Sequence, residues 1–270
     1  MVTVAFASAL VCYFSSTLLF LIYLLRRSET LARIALALTS VAFAVHTVGL
    51  VLHLVAGEGI RLISFHKAMA FFSWTLVLVF LGVVLRYRLH VLGAFLLPLA
   101  FLALLSTAVV PTSSVPVLQP VFQTVWIHVT LSVLGTVGFA VAFVAGLMYI
   151  MQDRLLKSKQ FNVLSFKLPP LDFLDALNQR SILLGFPLLT LGILTGAVSA
   201  QITWGSYLSW NPEQVWALIT WAFYLIVLMG RITVGWRAKK AAYLTIVGFA
   251  GVVLTFLGIL LKGHGPPASL

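Results

Sequence analysis

Residues 203–221 read TWGSYLSWNPEQVWALITW, and the rest of the chain is organised around this stretch. It holds four of the seven tryptophans, together with Tyr207, in a chain that is otherwise mostly aliphatic. Tryptophan and tyrosine favour the membrane interface, where the ring is half buried and its N–H or O–H stays hydrated. Flat aromatic faces on a short connector can also form a shelf for a flat, apolar ligand. The residues alone leave both interpretations open, an aromatic belt and a binding shelf.

The composition identifies the class of protein. Of the 270 residues, 61% are hydrophobic and 9% are charged, whereas a soluble domain carries about a quarter charged residues. We therefore predict an all-α polytopic membrane protein, with a single integral membrane domain over residues 1–270. The net charge of +11 does not indicate nucleic-acid binding, because the basic residues form short clusters between apolar runs. The single cysteine, Cys12, excludes an internal disulfide and CxxC redox chemistry.

Eight apolar segments are long enough for a helix to cross a bilayer, which takes about 20 residues. They predict eight transmembrane helices, at about residues 3–25, 31–55, 66–85, 91–110, 124–150, 181–201, 214–234 and 242–261. The aromatic connector, which we define as residues 203–216, joins the sixth predicted span to the seventh.

The basic residues alternate between loops, and this predicts the orientation, because cytoplasmic loops carry an excess of Lys and Arg. Three of them fall on one predicted side, namely Arg61, Lys67 and Lys262. The other fourteen fall on the opposite side: Arg26, Arg27, Arg33, Arg86, Arg88, Arg154, Lys157, Lys159, Lys167, Arg180, Arg231, Arg237, Lys239 and Lys240. We therefore predict that both termini and the aromatic connector lie on the outer side, in a multi-pass protein of the bacterial inner membrane.

The longest predicted cytoplasmic segment, residues 152–180, has Pro169 and Pro170 in its middle. After the prolines, leucine and phenylalanine alternate with three polar residues, Asp172, Asp175 and Asn178. This pattern fits either a short amphipathic helix on the membrane surface or a solvated linker.

Five of the six histidines lie on or near the predicted outer side, together with the aromatic connector. His128 stands about one turn into the fifth predicted span, and His264 follows the eighth. Two imidazoles on either side of a flat macrocycle can hold haem iron, although a single histidine at a helix end is more often only hydrogen-bonded. His46 lies inside the second predicted span, where an ionisable group is costly and favours a functional role. Zinc and phosphate-loop chemistry have less support, because the sequence has neither HExxH nor a glycine-rich phosphate loop.

The segment from Trp204 to Tyr224 resembles the tryptophan-rich WWD motif of haem-handling cytochrome c assembly proteins, above all of the CcsA/HemX type. That motif reads roughly WGxYWxWDPxxxWxLITWxxY. The matching residues, in order and without a gap, are Trp204, Gly205, Tyr207, Trp210, Pro212, Trp216, Leu218, Ile219, Thr220, Trp221 and Tyr224. The resemblance extends more weakly over the whole chain, including a histidine on either side of the motif.

The resemblance implies that the chain binds haem b at an outer surface formed by the aromatic connector. It implies that His128 and His264 are the axial ligands of the haem iron, and that His46 helps to bind haem within the membrane. The implied haem-binding residues of the connector itself are Trp204, Gly205, Tyr207, Trp210, Asn211, Pro212 and Trp216. The implied partners are haem, an apocytochrome c or cytochrome c assembly subunits, or enzymes of tetrapyrrole biosynthesis, within membrane lipid.

The segment also departs from the motif. Asn211 stands where the motif has Asp, and Leu208 stands where it has Trp. Met229 stands where complete synthases have a second intramembrane histidine. These departures favour an accessory, non-catalytic haem-handling role over a subunit of a cytochrome c haem lyase, and no catalytic residue is predicted. Two other classes stay open: a membrane transporter of haem or another small molecule, and a structural subunit without a cofactor.

Overall fold

The computed structural model describes the chain except for residues 1, 27, 56–61, 110–113, 117–121, 159–167, 209, 211 and 263–270. Its described residues form eight α-helices, one at each predicted span: α1 (Val2–Leu25), α2 (Glu29–Val55), α3 (Phe65–Tyr87), α4 (Gly93–Val109), α5 (Phe122–Lys157), α6 (Leu171–Trp204), α7 (Pro212–Thr233) and α8 (Ala238–Lys262). Three short elements lie between helices: the 3₁₀ turn His90–Leu92, and the strands β1 (Leu62–Ser64) and β2 (Ser114–Pro116).

Helices α1 to α7 are long and apolar enough to cross a membrane over their described residues. Many of their apolar side chains are exposed, for example Leu184 and Val48, as expected where lipid replaces water as the solvent. The prediction of an all-helical, multi-pass membrane protein is therefore confirmed. The eighth predicted span corresponds to α8, and the count of eight spans stays a prediction.

The chain divides into two compact units. Unit 1 comprises Met1–Val109 and Met151–Leu171, and unit 2 comprises Val110–Ile150 and Asp172–Leu270. The single membrane domain expected from the composition stays a prediction.

Aromatic packing and hydrogen bonds between helices hold unit 1 together. Phe20 of α1 meets Phe80 of α3 edge to face, with 5.5 Å between the ring centroids. Ser73 Oγ of α3 donates a 2.8 Å hydrogen bond to a main-chain carbonyl of α4. Trp74 Nε1 of α3 donates to Thr47 Oγ1 of α2 over 2.9 Å. Because lipid offers no hydrogen-bond partners, the polar side chains of a bundle pair with each other or with the backbone.

In unit 2, helices α5 and α6 approach each other along a seam of glycines. A Cβ atom at Gly138 would lie 2.9 Å from the Gly185 Cα and 3.0 Å from the Ser181 carbonyl oxygen. Small residues allow such a close approach of two backbones, and a side chain here would force the helices apart. Next to Gly138, Phe139 stacks on Tyr224 of α7 with 3.7 Å between the ring centroids. The seam and the stack hold α6 and α7 against α5.

One buried asparagine connects all four helices of unit 2. Asn178 of α6 is 2% exposed, and its Nδ2 donates to the Ala142 carbonyl of α5 over 2.7 Å. Its Oδ1 accepts hydrogen bonds from Arg231 of α7 and from Thr245 Oγ1 of α8. Arg231 also forms a 3.1 Å ion pair with Asp175 of α6. We call these four side chains the polar hub: Asp175, Asn178, Arg231 and Thr245.

The structure differs from the prediction for residues 152–180 in the part that follows the two prolines. Helix α6 begins at Leu171, directly after the two prolines, and continues without a break to Trp204. Proline is well tolerated where a helix begins, so Pro169 and Pro170 mark the start of α6. This helix is long and apolar enough to cross a membrane. The residues after the prolines are therefore neither a separate surface helix nor a linker, and Leu174 among them is fully buried.

Replacing Asn178 by leucine removes the centre of the polar hub at nearly constant volume. The Ala142 carbonyl then loses its side-chain donor, and the buried Arg231 guanidinium loses one acceptor. We expect the free energy of unfolding to fall by about 3 kcal/mol, measured as a lower thermal midpoint of the detergent-purified protein. Gln179→Leu is the matched control, since Gln179 is the next residue of α6 and lies outside the hub. Equal losses in the two variants would contradict the role of Asn178.

Candidate functional site

His128 lies on α5, about 9 Å along the helix from its start at Phe122. Its Nδ1 atom is 2.6 Å from the main-chain carbonyl oxygen of Gly192 on α6. A carbonyl oxygen only accepts hydrogen bonds, so Nδ1 carries the proton and donates it. In a neutral imidazole, Nε2 then holds the lone pair that a metal ligand needs. The hydrogen bonds of this ring to described residues all involve Nδ1.

The first part of the aromatic connector forms the turn between α6 and α7. Helix α6 ends at Trp204, and Gly205 follows with a φ of +72°, the left-handed conformation that commonly closes a helix. Trp210 also has a positive φ, +52°, which is costly for a residue with a side chain and is frequent at functional sites. Tyr207 is 59% exposed and Trp210 is 72% exposed. Two aromatic rings are thus accessible at this end of unit 2.

The last aromatic residues of the motif, Trp221 and Tyr224, pack inside unit 2. Trp221 Nε1 donates to Thr190 Oγ1 of α6 over 2.9 Å, and its ring stacks on Phe186 with 5.7 Å between the centroids. Tyr224 is fully buried, and Trp216 is half-buried at the start of α7. The tryptophan-rich stretch therefore combines exposed rings in the turn with rings that attach α7 to α6.

His128 and the exposed rings lie at the same end of unit 2. The imidazole packs against Gly196 of α6, and from there the helix continues for eight residues, about 12 Å, to its end at Trp204. The beginning of α5 and the end of α6 therefore bring the histidine towards the aromatic connector. The predicted binding surface for a flat ligand with a metal centre stays a prediction.

His46 has a different environment, inside unit 1. It is fully buried on α2, with its Nδ1 3.3 Å from the Tyr13 hydroxyl of α1. The rings of Phe6 and Tyr13 meet the imidazole edge to face, with centroids 5.5 and 5.8 Å away. Its Nε2 is buried without a hydrogen-bond partner in the described part of the chain. The role of His46 in haem binding stays a prediction.

Two predicted site residues lie outside the described residues, Asn211 and His264. The same applies to the side chains of Trp204 and Pro212. Met229 is described and is 42% exposed on α7. Across the described ranges, no group of three or more His, Cys, Asp or Glu side chains could hold a metal ion.

The sequence prediction missed the residues of α6 that face His128. Gly192 and Gly196 form a GxxxG pattern within the run GILTG. In a transmembrane helix this pattern indicates a face that another helix approaches closely. The pattern therefore indicates from the sequence that another helix packs closely against α6 at these two glycines. It does not identify the facing residue as a histidine.

Comparison with known proteins relates the chain to one family. Residues 62–265 match the family described as cytochrome C assembly protein. The Cytochrome c biogenesis protein CcsA of Guillardia theta is 32% identical over 225 residues, which cover 75% of this chain and 74% of that protein. The protein of the same name from Chlamydomonas reinhardtii is 41% identical over 150 residues, which cover 55% of this chain and 41% of that protein.

A solved structure shows the same fold. Cytochrome c Heme Lyase CcmF matches with a TM-score of 0.66 at 17% sequence identity. The match covers 97% of this chain and 46% of CcmF, so the chain spans about half the length of that protein. The predicted family is confirmed by the match over residues 62–265 and by the relative from Guillardia theta. This chain belongs to the cytochrome c assembly protein family.

Proposed function

We propose that this protein binds haem b at the outer face of the membrane and presents it for cytochrome c assembly. One observation carries the proposal: His128 Nδ1–H donates a hydrogen bond to the Gly192 carbonyl, which leaves Nε2 as the ligand nitrogen. His128 lies at the same end of unit 2 as Tyr207 and Trp210, whose rings are exposed. Membership of the cytochrome c assembly family supports the same function.

The donor set fits haem. Imidazole nitrogen is a common axial ligand of haem iron, and aromatic faces pack well against a flat apolar macrocycle. His128 is the first proposed axial ligand, and His264 is the second, as the motif resemblance implies. The proposed binding surface further includes Trp204, Gly205, Tyr207, Trp210, Asn211, Pro212 and Trp216. His46 is the residue we propose for binding haem within the membrane, since its buried Nε2 has no hydrogen-bond partner among the described residues.

The residues of this chain hold and orient haem, and we assign none of them a catalytic role. The chemistry that haem supplies when bound is thioether attachment to the cysteine thiols of an apocytochrome c. We propose an apocytochrome c or other assembly subunits as the partners. The departures at Leu208 and Asn211 support an accessory role rather than that of a complete haem lyase. Enzymes of tetrapyrrole biosynthesis are the alternative partners of such an accessory protein.

Absorption spectra of the detergent-purified protein, oxidised and dithionite-reduced, test the proposed ligand. For the wild type we expect a Soret band and sharp reduced α and β bands, typical of haem with two histidine ligands. His128→Ala removes one ligand, so we expect the bands to be lost or shifted to those of five-coordinate haem. His90→Ala is the matched control, since His90 belongs to the 3₁₀ turn of unit 1. A wild type that stays colourless after haem is added, or a His128→Ala spectrum identical to wild type, would overturn the proposal.

We further propose eight spans with both termini on the outer side, in a bacterial inner membrane. The support is the placement of fourteen basic residues on one predicted side and three on the other. In a Cys12→Ser background, Ser206→Cys and Arg237→Cys place single thiols at exposed positions at opposite ends of α7. A membrane-impermeant maleimide added to intact cells should label position 206 and leave position 237 unlabelled. Labelling of position 237 alone would reverse the proposed orientation.

A further inference from the structure

The α6 surface beneath His128 has no room for any side chain. A Cβ atom at Gly196 would lie 2.6 Å from His128 Nδ1 and 2.7 Å from its Cε1. Real Cβ atoms do not approach other heavy atoms this closely, so an alanine would push the imidazole away from α6. The ring therefore lies directly on the α6 backbone, in a space that only glycine leaves.

One turn earlier on α6, Gly192 brings the hydrogen-bond acceptor within reach of the ring. A Cβ atom at Gly192 would lie 2.5 Å from Ser132 Oγ and 3.0 Å from Ser132 N. Ser132 lies one turn after His128 on α5. This close approach of the two backbones places the Gly192 carbonyl 2.6 Å from His128 Nδ1. A backbone carbonyl cannot rotate away as a side chain can, so it fixes both the tilt and the protonated nitrogen of the imidazole.

We propose that Gly192 and Gly196 are positioning residues for His128: together they hold the imidazole on α6 with Nδ1 protonated and present Nε2 to iron. This inference rests on the proposed haem-binding function and names how this chain prepares the ligand. Metal-binding histidines generally depend on a partner for the second ring nitrogen, which sets the tautomer and the ring orientation. Here the backbone of a neighbouring helix supplies that partner, and the GxxxG pattern makes it reachable.

A purely structural role for these glycines is the competing explanation, and the chain provides a matched control. Gly138 belongs to the same seam between α5 and α6 and is also closed to a side chain, since its Cβ would lie 2.9 Å from the Gly185 Cα. Gly138→Ala therefore inserts one methyl group between the same two helices, about 15 Å along α5 from His128. Both variants should lower the thermal midpoint, but only Gly196→Ala meets the imidazole.

The haem-free protein gives the first readout. Histidine labelled with ¹⁵N at Nδ1 only is incorporated, and solid-state NMR of the protein in lipid separates protonated from unprotonated Nδ1. The His128 signal is assigned by its absence in His128→Gln. We expect a protonated Nδ1 in the wild type and in Gly138→Ala, and a changed signal in Gly196→Ala. An unprotonated Nδ1 in the wild type, or an unchanged signal in Gly196→Ala, would overturn the inference.

Haem titration gives the second readout. We expect Gly196→Ala to weaken haem binding by about 10-fold or more, as loss of such a ligand partner usually does, while Gly138→Ala binds like the wild type. Added imidazole should restore a six-coordinate spectrum to Gly196→Ala, because the free ligand replaces the displaced ring. Equal weakening by both alanines would assign the glycines to packing alone. If the NMR result holds and the wild type binds no haem, the positioning of His128 stands and the proposed function fails.

Discussion

A membrane interior offers no hydrogen-bond partners for buried polar groups, and in unit 2 one asparagine satisfies that constraint for four helices at once. Asn178 donates to α5 and accepts from α7 and α8. The Arg231 side chain is 1% exposed, and its Nε and Nη1 are buried without a partner among the described residues. Asp175 therefore balances its charge through the remaining nitrogen, Nη2, which also donates a hydrogen bond to Asn178 Oδ1. The packing of α7, and with it the turn that carries the aromatic connector, depends on the polar hub.

The hub also fixes how α5 and α6 align along their lengths. Asn178 meets Ala142 at one end of this antiparallel pair, and His128 meets Gly192 at the other. On each helix, fourteen residues separate the two contacts, a rise of about 21 Å. The contact between Gly138 and Gly185 lies between these two hydrogen bonds. A slip of one helical turn would break both hydrogen bonds, so the position of the candidate ligand depends on the register of this helix pair.

Hydropathy predicted the helices well, because a helix exposed to lipid needs a continuous apolar run that the sequence shows directly. Hydropathy did not predict that α6 begins at Leu171, because Asp175 near this start is polar. In the structure, Asp175 pairs with Arg231, 56 residues further along the chain. Such a long-range partner leaves no local pattern. At the candidate site, His128 and Trp210 were predicted from the motif resemblance. The glycines beneath the ring were missed because hydropathy treats glycine as neutral, and only their four-residue spacing reveals the close helix contact.

The proposed haem site requires His128 Nε2 to be a ligand of the iron. Electron–nuclear double resonance of the oxidised, haem-loaded protein tests it most directly, with histidine labelled with ¹⁵N at Nε2. We expect strong coupling of the iron to two labelled nitrogens in the wild type and to one in His128→Ala. Two coupled nitrogens in both proteins would contradict the assignment of His128, because other histidines would then hold the iron.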